Sequence, residues 1–226
     1  MKSLWVIGFT AICSLVSCAQ NSNQKNKMNT SNSSAKTETS FPGKSDTATL
    51  GTGCFWCTEA IFEQLEGVTS VVSGYAGGHV DNPTYKDIGN GESGHAECVQ
   101  IVYDPATITF DELLEIFWQV HDPTTLNRQG ADVGPQYRSV IFYHNDAQKQ
   151  KGENYKSELN KSGAFTNPIV TTLEKFTKFY TAEAYHQEYY ANNKNKNPYC
   201  SIVIKPKLEK FEKVFKDKLK MKPQTP

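Results

Sequence analysis

The stretch Gly53-Cys54-Phe55-Trp56-Cys57-Thr58-Glu59-Ala60 places a thiol where a short strand passes into a helix. Residues 48–53 read as a strand that ends in glycine, which lets the backbone turn sharply. From Ala60 onward, apolar residues recur at helical spacing, so we expect Cys54 at or just before the first helical turn. The unpaired N–H groups and the helix dipole there favour a thiolate. Cys54 is therefore the candidate nucleophile.

Composition limits the possible classes. The 226 residues are 38% hydrophobic and 12% aromatic, which is enough for one sizeable core or a domain with extensions. A formal net charge of zero gives no reason to expect a nucleic-acid partner. Four cysteines lie beyond residue 47, too few for a disulfide scaffold, and no cysteine or histidine spacing resembles a structural zinc site. We therefore assign no metal.

The first 18 residues are typical of a targeting segment, with Lys2 followed by a short apolar run. Leu15-Val16-Ser17-Cys18 resembles the bacterial lipobox, in which the cysteine is lipidated and becomes the new N-terminus. We expect a lipoprotein anchored to a membrane through Cys18, exported to the periplasmic or cell-surface side. An ordinary secretory signal with an incidental cysteine is the alternative.

Three further regions follow the signal peptide. Residues 19–47 form a polar tract with little to bury and predict a disordered linker. Residues 48–204 have a globular pattern and carry the candidate site. Residues 205–226 form a basic C-terminal helix or tail, whose apolar stripe predicts a docked helix, with contact to a membrane surface as the alternative. That stripe consists of Leu208, Phe211, Phe215 and Leu219.

The order of elements after the linker predicts a βαββαβ core. The capping box that begins at Thr109 marks the start of the second helix. We predict an α+β, ferredoxin-like split βαβ two-layer sandwich, with helices on one face of an antiparallel sheet and long loops at the site. Additional elements are a helix over 146–162, a strand over 170–174 and a helix over 181–192. The predicted core strands are residues 48–53, 68–75, 95–103 and 138–143.

Two irregular stretches, 77–94 and 122–137, are too long for simple connections and carry polar and aromatic groups suited to binding. Glu97 follows the first, and strand alternation places it on the apolar face of its strand. Loss of solvation there should raise its pKa, so that it can hold a proton near neutrality. The alternative is a solvated Glu97 paired with Arg138 or a lysine.

A set of motifs in this order resembles the A class of peptide methionine sulfoxide reductases, over roughly residues 47–210. The resemblance implies reduction of one sulfoxide epimer, the S form, without metal, flavin or other cofactor. Its motifs are Gly53-Cys54-Phe55-Trp56, Gly74-Tyr75-Ala76-Gly77-Gly78, Asn82-Pro83-Thr84-Tyr85, Gly94-His95-Ala96-Glu97, His121-Asp122-Pro123, Gln136-Tyr137-Arg138-Ser139, Tyr185-His186-Gln187 and Tyr199-Cys200.

The resemblance also implies roles for individual residues. The Cys54 thiolate would attack the sulfoxide sulfur and become a sulfenic acid, while Glu97 protonates the oxygen. Tyr85 and Tyr137 would donate hydrogen bonds to that oxygen. Phe55 and Trp56 would contact the substrate by closing around its methyl group. Asp132 would support the geometry and hydrogen bonding of the site.

This sequence departs from the commonest pattern at Cys57, where that pattern has glycine. Two cysteines are therefore candidates to resolve the sulfenic acid. Cys57 lies one helical turn from Cys54 and could form a disulfide directly. Cys200 matches a frequent C-terminal resolving position. Our hypothesis is that Cys200 resolves first and Cys57 shuttles the disulfide. Cys98 lies mid-strand on the face opposite Glu97 and is expected to pack in a core.

The resemblance further implies a monomer that acts on methionine S-sulfoxide in proteins and on free methionine sulfoxide. An exported site would need a thioredoxin-like reductant. Two alternatives come from other classes. A disulfide oxidoreductase would use Cys54 and Cys57 for thiol exchange, and a lipid-anchored binding module would use the aromatic pocket without chemistry.

Overall fold

The computed structural model describes residues 44–221. The predicted signal peptide, Cys18 and most of the predicted linker lie outside the described residues. The first strand begins at Asp46, two residues before the predicted start, so the end of the predicted linker is already part of the sheet. Within the described stretch, no helix is both long and apolar enough to cross a membrane.

A six-stranded sheet forms the centre of the fold, in the order β7-β6-β1-β3-β2-β8. All neighbouring strands are antiparallel except β6 and β7. Strands β4 and β5 form a separate short hairpin. The strands are β1 (Asp46–Thr52), β2 (Val68–Ala76), β3 (Ala96–Tyr103), β4 (Arg128–Gln129), β5 (Asp132–Val133), β6 (Ser139–Tyr143), β7 (Thr172–Lys175) and β8 (Phe179–Thr181).

Helices connect and flank the strands. Thr109 caps a helix as predicted, although the unpredicted short helix at 85–89 makes it the third and not the second: the Thr109 hydroxyl accepts the amide of Glu112, and Glu112 Oε2 accepts the amide of Thr109 at 2.8 Å. A π-helical turn, Cys200–Ile204, runs directly into the last helix. The helices are α1 (Phe55–Phe62), α2 (Tyr85–Gly89), α3 (Phe110–Val120), α4 (Asp146–Ser162), α5 (Tyr189–Asn193) and α6 (Lys205–Val214).

The main core lies between one face of the sheet and helices α1, α3 and α6. Val99 and Ile101 of β3 belong to this cluster, whereas Cys98 belongs to a smaller cluster on the opposite face with Val140 and Phe142. The alternation predicted for β3 is therefore correct, and Cys98 packs in a core as expected. The mixed α+β class is confirmed.

The predicted helix over 181–192 is wrong. The segment instead contains β8, a 3₁₀ turn (Ala184–His186) and the short helix α5. The Gln187 side chain explains the difference, because it pairs with the backbone of β2: it accepts the Ser73 amide and donates to the Ser73 carbonyl, each at 3.0 Å. These long-range bonds hold the segment against the sheet edge and compete with a continuous helix.

The C-terminal helix α6 packs into the main core. Leu208, Phe211 and Phe215 of the predicted stripe are buried, whereas Leu219 is half-buried beyond the end of the helix. Leu219 pairs with Leu65, which anchors the chain beyond α6 to the end of α1. Within the described residues, α6 is therefore part of the folded domain.

Candidate active site

A cavity of about 220 Å³ opens beside the N-terminus of α1. All seven residues that the sequence proposed for catalysis or substrate contact line it, together with one that the sequence did not assign a role, Tyr199. The lining residues are Cys54, Phe55, Trp56, Tyr85, Glu97, Asp132, Tyr137 and Tyr199.

Cys54 occupies the N-cap position of α1, as predicted. Its carbonyl accepts the amides of Cys57 at 3.2 Å and Thr58 at 3.3 Å, which starts the helix. The turn into this position needs glycine at residue 53, where φ is +96° and an added Cβ would lie 2.6 Å from the Cβ of Gln129. Local backbone geometry therefore fixes the thiol at the mouth of the cavity.

Protonation of Cys54 is coupled to that of Cys57, its hydrogen-bond partner one turn along α1. Burial raises the pKa of Cys54 well above its usual value, and a hydrogen bond from Tyr199 only partly opposes this. A hydrogen bond from Cys54 lowers the pKa of Cys57 despite its burial. Desolvation of the buried thiol therefore opposes the effect of the helix N-terminus, which favours the thiolate. Loss of the first proton is therefore a property of the pair.

Glu97 lies in the wall of the cavity with only 2% of its surface exposed. Desolvation, followed by the charge of Cys54, raises its pKa well above the usual value, while a hydrogen bond from the Phe55 amide acts in the opposite direction. The predicted pKa shift is confirmed. The alternative pairing with Arg138 is wrong, because Arg138 forms its ion pair with Glu174 at 3.3 Å.

Tyr85 and Tyr137 bring two phenol groups to the same cavity. Burial raises the pKa of Tyr85 to about 12 and raises that of Tyr137 as well, so both remain protonated hydrogen-bond donors at neutral pH. Tyr85 is the first residue of α2, where Thr84 and Asp87 form a capping box. The Tyr85 amide also donates to Glu183 Oε1 at 2.8 Å, which fixes the position of the ring.

Aromatic residues outside the cavity pack against Phe55 and Trp56, which line it. Trp56 stacks on Tyr189, with ring centroids 3.7 Å apart and an angle of 7° between the planes. Its indole Nε1 donates to His186 Nδ1 at 3.0 Å. His186 is 1% exposed and also contacts the Phe55 ring, with centroids 5.1 Å apart. Sequence analysis placed His186 in a motif but did not connect it to Trp56.

Tyr199 joins the cavity to the C-terminal segment. Its hydroxyl donates to Asp132 Oδ2 at 2.7 Å, and its ring makes an edge contact with Trp56 at 5.8 Å between centroids. Tyr199 directly precedes Cys200 in one of the family motifs. This position in the sequence is the signal that could have indicated its role. Asp132 thus supports the site through Tyr199.

The four cysteines in the described residues are all free and buried. Cys57 is in contact with Cys54, whereas Cys200 is fully buried at the start of the π-helical turn. Cys200 is close enough for the charge of Cys54 to raise its pKa, after the larger effect of burial. Both candidate resolving thiols therefore lie near the nucleophile.

A larger cavity, of about 710 Å³, lies between the end of α3, residues 164–167 and α6. None of the predicted site residues lines this cavity, so a choice of active site by cavity volume alone would have missed the reactive groups. Among residues 44–221, no three histidine, cysteine or acidic side chains are arranged to bind a metal ion.

Comparison with known proteins identifies the family to which this site belongs. A family profile described as "Peptide methionine sulfoxide reductase" matches residues 46–219. The chain belongs to the peptide methionine sulfoxide reductase family. Two relatives named as reductases of this type, MsrA 1 of Rhodopirellula baltica and MsrA of Saccharolobus solfataricus, are 54% and 53% identical to it. The alignments cover 79% and 78% of this chain and 91% and 98% of those proteins.

Solved structures of the family share the fold. Mxr1 from Saccharomyces cerevisiae in reduced form has a TM-score of 0.63 and 36% identity, with 72% of this chain and 93% of that chain covered. Methionine sulfoxide reductase A of Corynebacterium diphtheriae has a TM-score of 0.60 and 36% identity, with 68% and 76% covered. The protein is an oxidoreductase with peptide methionine sulfoxide reductase activity.

Proposed function

We propose that this reductase acts on the S epimer of methionine sulfoxide through nucleophilic attack by Cys54, with Glu97 as the acid. The observation that carries the proposal is the convergence of Cys54, Glu97, Tyr85 and Tyr137 on one cavity of about 220 Å³. Phe55 and Trp56 supply apolar surface for the methyl group of the same substrate. A pure thiol-exchange enzyme would have no need of the buried acid and the two phenols.

The first step is formation of the attacking thiolate. Once the pair has lost one proton, transfer of the remaining proton from Cys54 to the Cys57 thiolate creates the nucleophile. Tyr199 stabilises the new charge by turning its hydroxyl proton from Asp132 to the Cys54 sulfur. A neutral Glu97 avoids repulsion between two negative groups in the cavity.

Oxygen transfer follows. The Cys54 sulfur bonds to the sulfoxide sulfur, Glu97 gives its proton to the sulfoxide oxygen, and Tyr85 and Tyr137 donate hydrogen bonds to that oxygen. The oxygen then passes to Cys54 as a sulfenic acid, and the methionine thioether leaves. The methionine sulfur gains two electrons, and Cys54 loses two.

A second thiol then displaces the sulfenic oxygen as water and forms a disulfide with Cys54. Cys57 is favoured as the first attacking thiol, because it is in contact with Cys54 and its pKa is lowered. The hypothesis that Cys200 attacks first requires residues 199–204 to move, since Cys200 is fully buried. Mass-spectrometric mapping after one turnover, in the parent enzyme and in Cys57→Ser and Cys200→Ser variants, distinguishes the two orders.

We further propose that a thioredoxin-like protein reduces the disulfide, that the enzyme is a monomer, and that both protein-bound and free methionine sulfoxide are substrates. Each turnover oxidises two thiols of the chain to a disulfide, so continued turnover needs an external dithiol. A coupled assay with and without thioredoxin tests the reductant. Sedimentation at several concentrations tests the monomer.

Export and lipidation at Cys18 form a separate proposal, supported by the lipobox-like Leu15-Val16-Ser17-Cys18. Incorporation of labelled fatty acid into the full chain, and its loss in a Cys18→Ser variant, is the expected result. Incorporation that persists in the variant, or is absent from both, would contradict it.

We also interpret the sheet as a ferredoxin-like split βαβ arrangement with additions. The interpretation is supported by the order β6-β1-β3-β2 of the four central strands, with α1 between β1 and β2 and α3 between β3 and β6 along the chain. Strands β7 and β8 extend this core at its two edges.

The test of the proposed chemistry is single-turnover reduction of the separated epimers of a blocked methionine sulfoxide. We expect the S epimer alone to be reduced, with no reaction in a Cys54→Ser variant. Cys98→Ala is the matched control, because that thiol is buried on the other face of the sheet. Equal reduction of both epimers, or activity that persists without Cys54, would contradict the proposal.

A further inference from the structure

Several exposed apolar side chains lie on segments that adjoin the active-site cavity. Six large apolar side chains are more than half exposed in the described residues, and four of these lie on segments that also line or support the cavity. We call these four the apolar rim: Leu126 (70% exposed), Val133 (63%), Tyr185 (60%) and Ile202 (71%).

Each member of the apolar rim is connected to the cavity. Val133 directly follows Asp132, and Ile202 lies three residues after Tyr199, so the hydrogen bond between Tyr199 and Asp132 joins their segments. Leu126 belongs to the same loop system, which is closed by a backbone bond at residues 127 and 134.

Tyr185 reaches the cavity from another side. Its ring centroid lies 4.1 Å from that of His186, which in turn lies 4.5 Å from that of Tyr85. The apolar rim is therefore linked to residues of the cavity wall through both Tyr199 and Tyr85.

The volume of the cavity determines what the apolar rim can contact. At about 220 Å³ it is smaller than the ~300–1,000 Å³ typical of sites that enclose a whole small ligand. It has room for one methionine sulfoxide side chain. When that side chain belongs to a polypeptide, the neighbouring residues of the substrate must lie outside, against the mouth.

The chemistry of the mouth favours apolar neighbours. Residues 124–127, 133–137 and 199–204 contain no aspartate, glutamate, lysine or arginine. Arg128, Asp132 and Lys205 flank these segments, so the aliphatic groups lie among scattered charges of both signs, which do not select a partner of one charge. Exposed apolar groups clustered in this way mark sites of protein contact.

We propose that the apolar rim binds apolar side chains that flank the oxidised methionine, so that the enzyme prefers methionine sulfoxide in apolar sequence contexts. Such contexts are normally buried, and the preference directs the enzyme to unfolded or locally opened segments of oxidised proteins. The inference rests on the proposed function and specifies its class of substrate.

The test compares two blocked peptides, each with one methionine S-sulfoxide and with either leucine or serine at the two positions on each side. We expect kcat/KM to be about threefold to tenfold higher for the leucine peptide, as partial burial of a few apolar side chains predicts. Val133→Ser and Ile202→Ser should each reduce this ratio. Val214→Ser is the matched control, because Val214 is 55% exposed on α6, away from the cavity.

A ratio near one in the parent enzyme, or a ratio that none of the rim variants changes, would overturn the inference. It would equally be overturned if the rim variants raised KM for thioredoxin and left the ratio unchanged, since the apolar rim would then serve the reductant. A small blocked methionine S-sulfoxide is assayed with the parent enzyme in parallel. No turnover of that compound would contradict the proposed function itself, independently of the rim.

Discussion

The backbone amide of Phe55 donates a hydrogen bond to Glu97 Oε2 at 3.2 Å. The bond ties the proposed acid on β3 to the residue that follows the nucleophile on α1. Because Phe55 is the first residue of α1, the acid is held at the same helix end as the thiol. The hydrogen bond to the helix backbone therefore restrains the Glu97 carboxyl beside the start of α1.

Glu97→Gln tests the acid. The amide oxygen of the introduced glutamine can still accept the Phe55 amide, so the fold should persist while the proton donor is lost. We expect the single-turnover rate to fall about 10²–10⁴-fold. In the parent enzyme, the rate should decline as pH rises through the raised pKa of Glu97, and the variant should lack this alkaline decline. Glu174→Gln, which alters a carboxyl outside the cavity, is the control.

Tyr199→Phe tests the residue that sequence analysis did not assign. The change removes a hydroxyl that donates its one proton to Asp132 in the structure and lowers the pKa of the neighbouring Cys54, so the pKa of Cys54 should rise further. At neutral pH we expect alkylation of Cys54 by iodoacetamide to slow about fivefold to tenfold, as loss of one hydrogen bond predicts. Tyr143→Phe, on a distant strand, should alkylate at the parental rate. An unchanged rate in Tyr199→Phe would exclude this role.

His186→Leu tests the support behind Trp56. It leaves the indole N–H without its acceptor, at a cost of about 1–3 kcal/mol in a buried setting. We expect a higher KM for methionine sulfoxide and a shift in tryptophan emission, with a smaller effect on kcat. His186→Asn offers an oxygen near the position of Nδ1 and should restore part of both properties. Failure of asparagine to do better than leucine would indicate that His186 acts only by filling space.

His121 should make stability depend on pH. Desolvation lowers its folded-state pKa from 6.5 to about 4. Between these values the unfolded chain binds a proton that the folded chain does not, so stability falls as the pH falls. From pH 7 to pH 5 this residue should remove about 2 kcal/mol from the free energy of unfolding. Urea titrations at pH 7 and pH 5 should show this loss of stability in the parent protein, and the loss should be about 2 kcal/mol smaller in His121→Gln.

Local patterns were sufficient to place Glu97 and Cys98. Strand alternation put the two side chains on opposite faces of β3, and burial of an acid on the apolar face gave the direction of its pKa shift. The capping box at Thr109 likewise located the start of α3. These features depend on neighbours within a few residues, which the sequence displays directly.

Features that depend on distant contacts could not be predicted. The segment around Gln187 has helical spacing, yet bonds to Ser73 of β2 draw it to the sheet edge. The protonation of Cys54 depends on how deeply the thiol is buried and on its contact with Cys57, neither of which helix position alone reveals. Tyr199 acquires its role through Asp132, which lies 67 residues away.

The Gln187 side chain also has a consequence for the edge of the sheet. An amide group that both donates to and accepts from one strand residue reproduces the bonding of a peptide unit, so Gln187 continues the ladder where β8 stops. Unsatisfied strand edges are templates for intermolecular pairing and aggregation. By occupying this position with one of its own side chains, the enzyme protects part of an exposed edge from the unfolded polypeptides on which it is proposed to act.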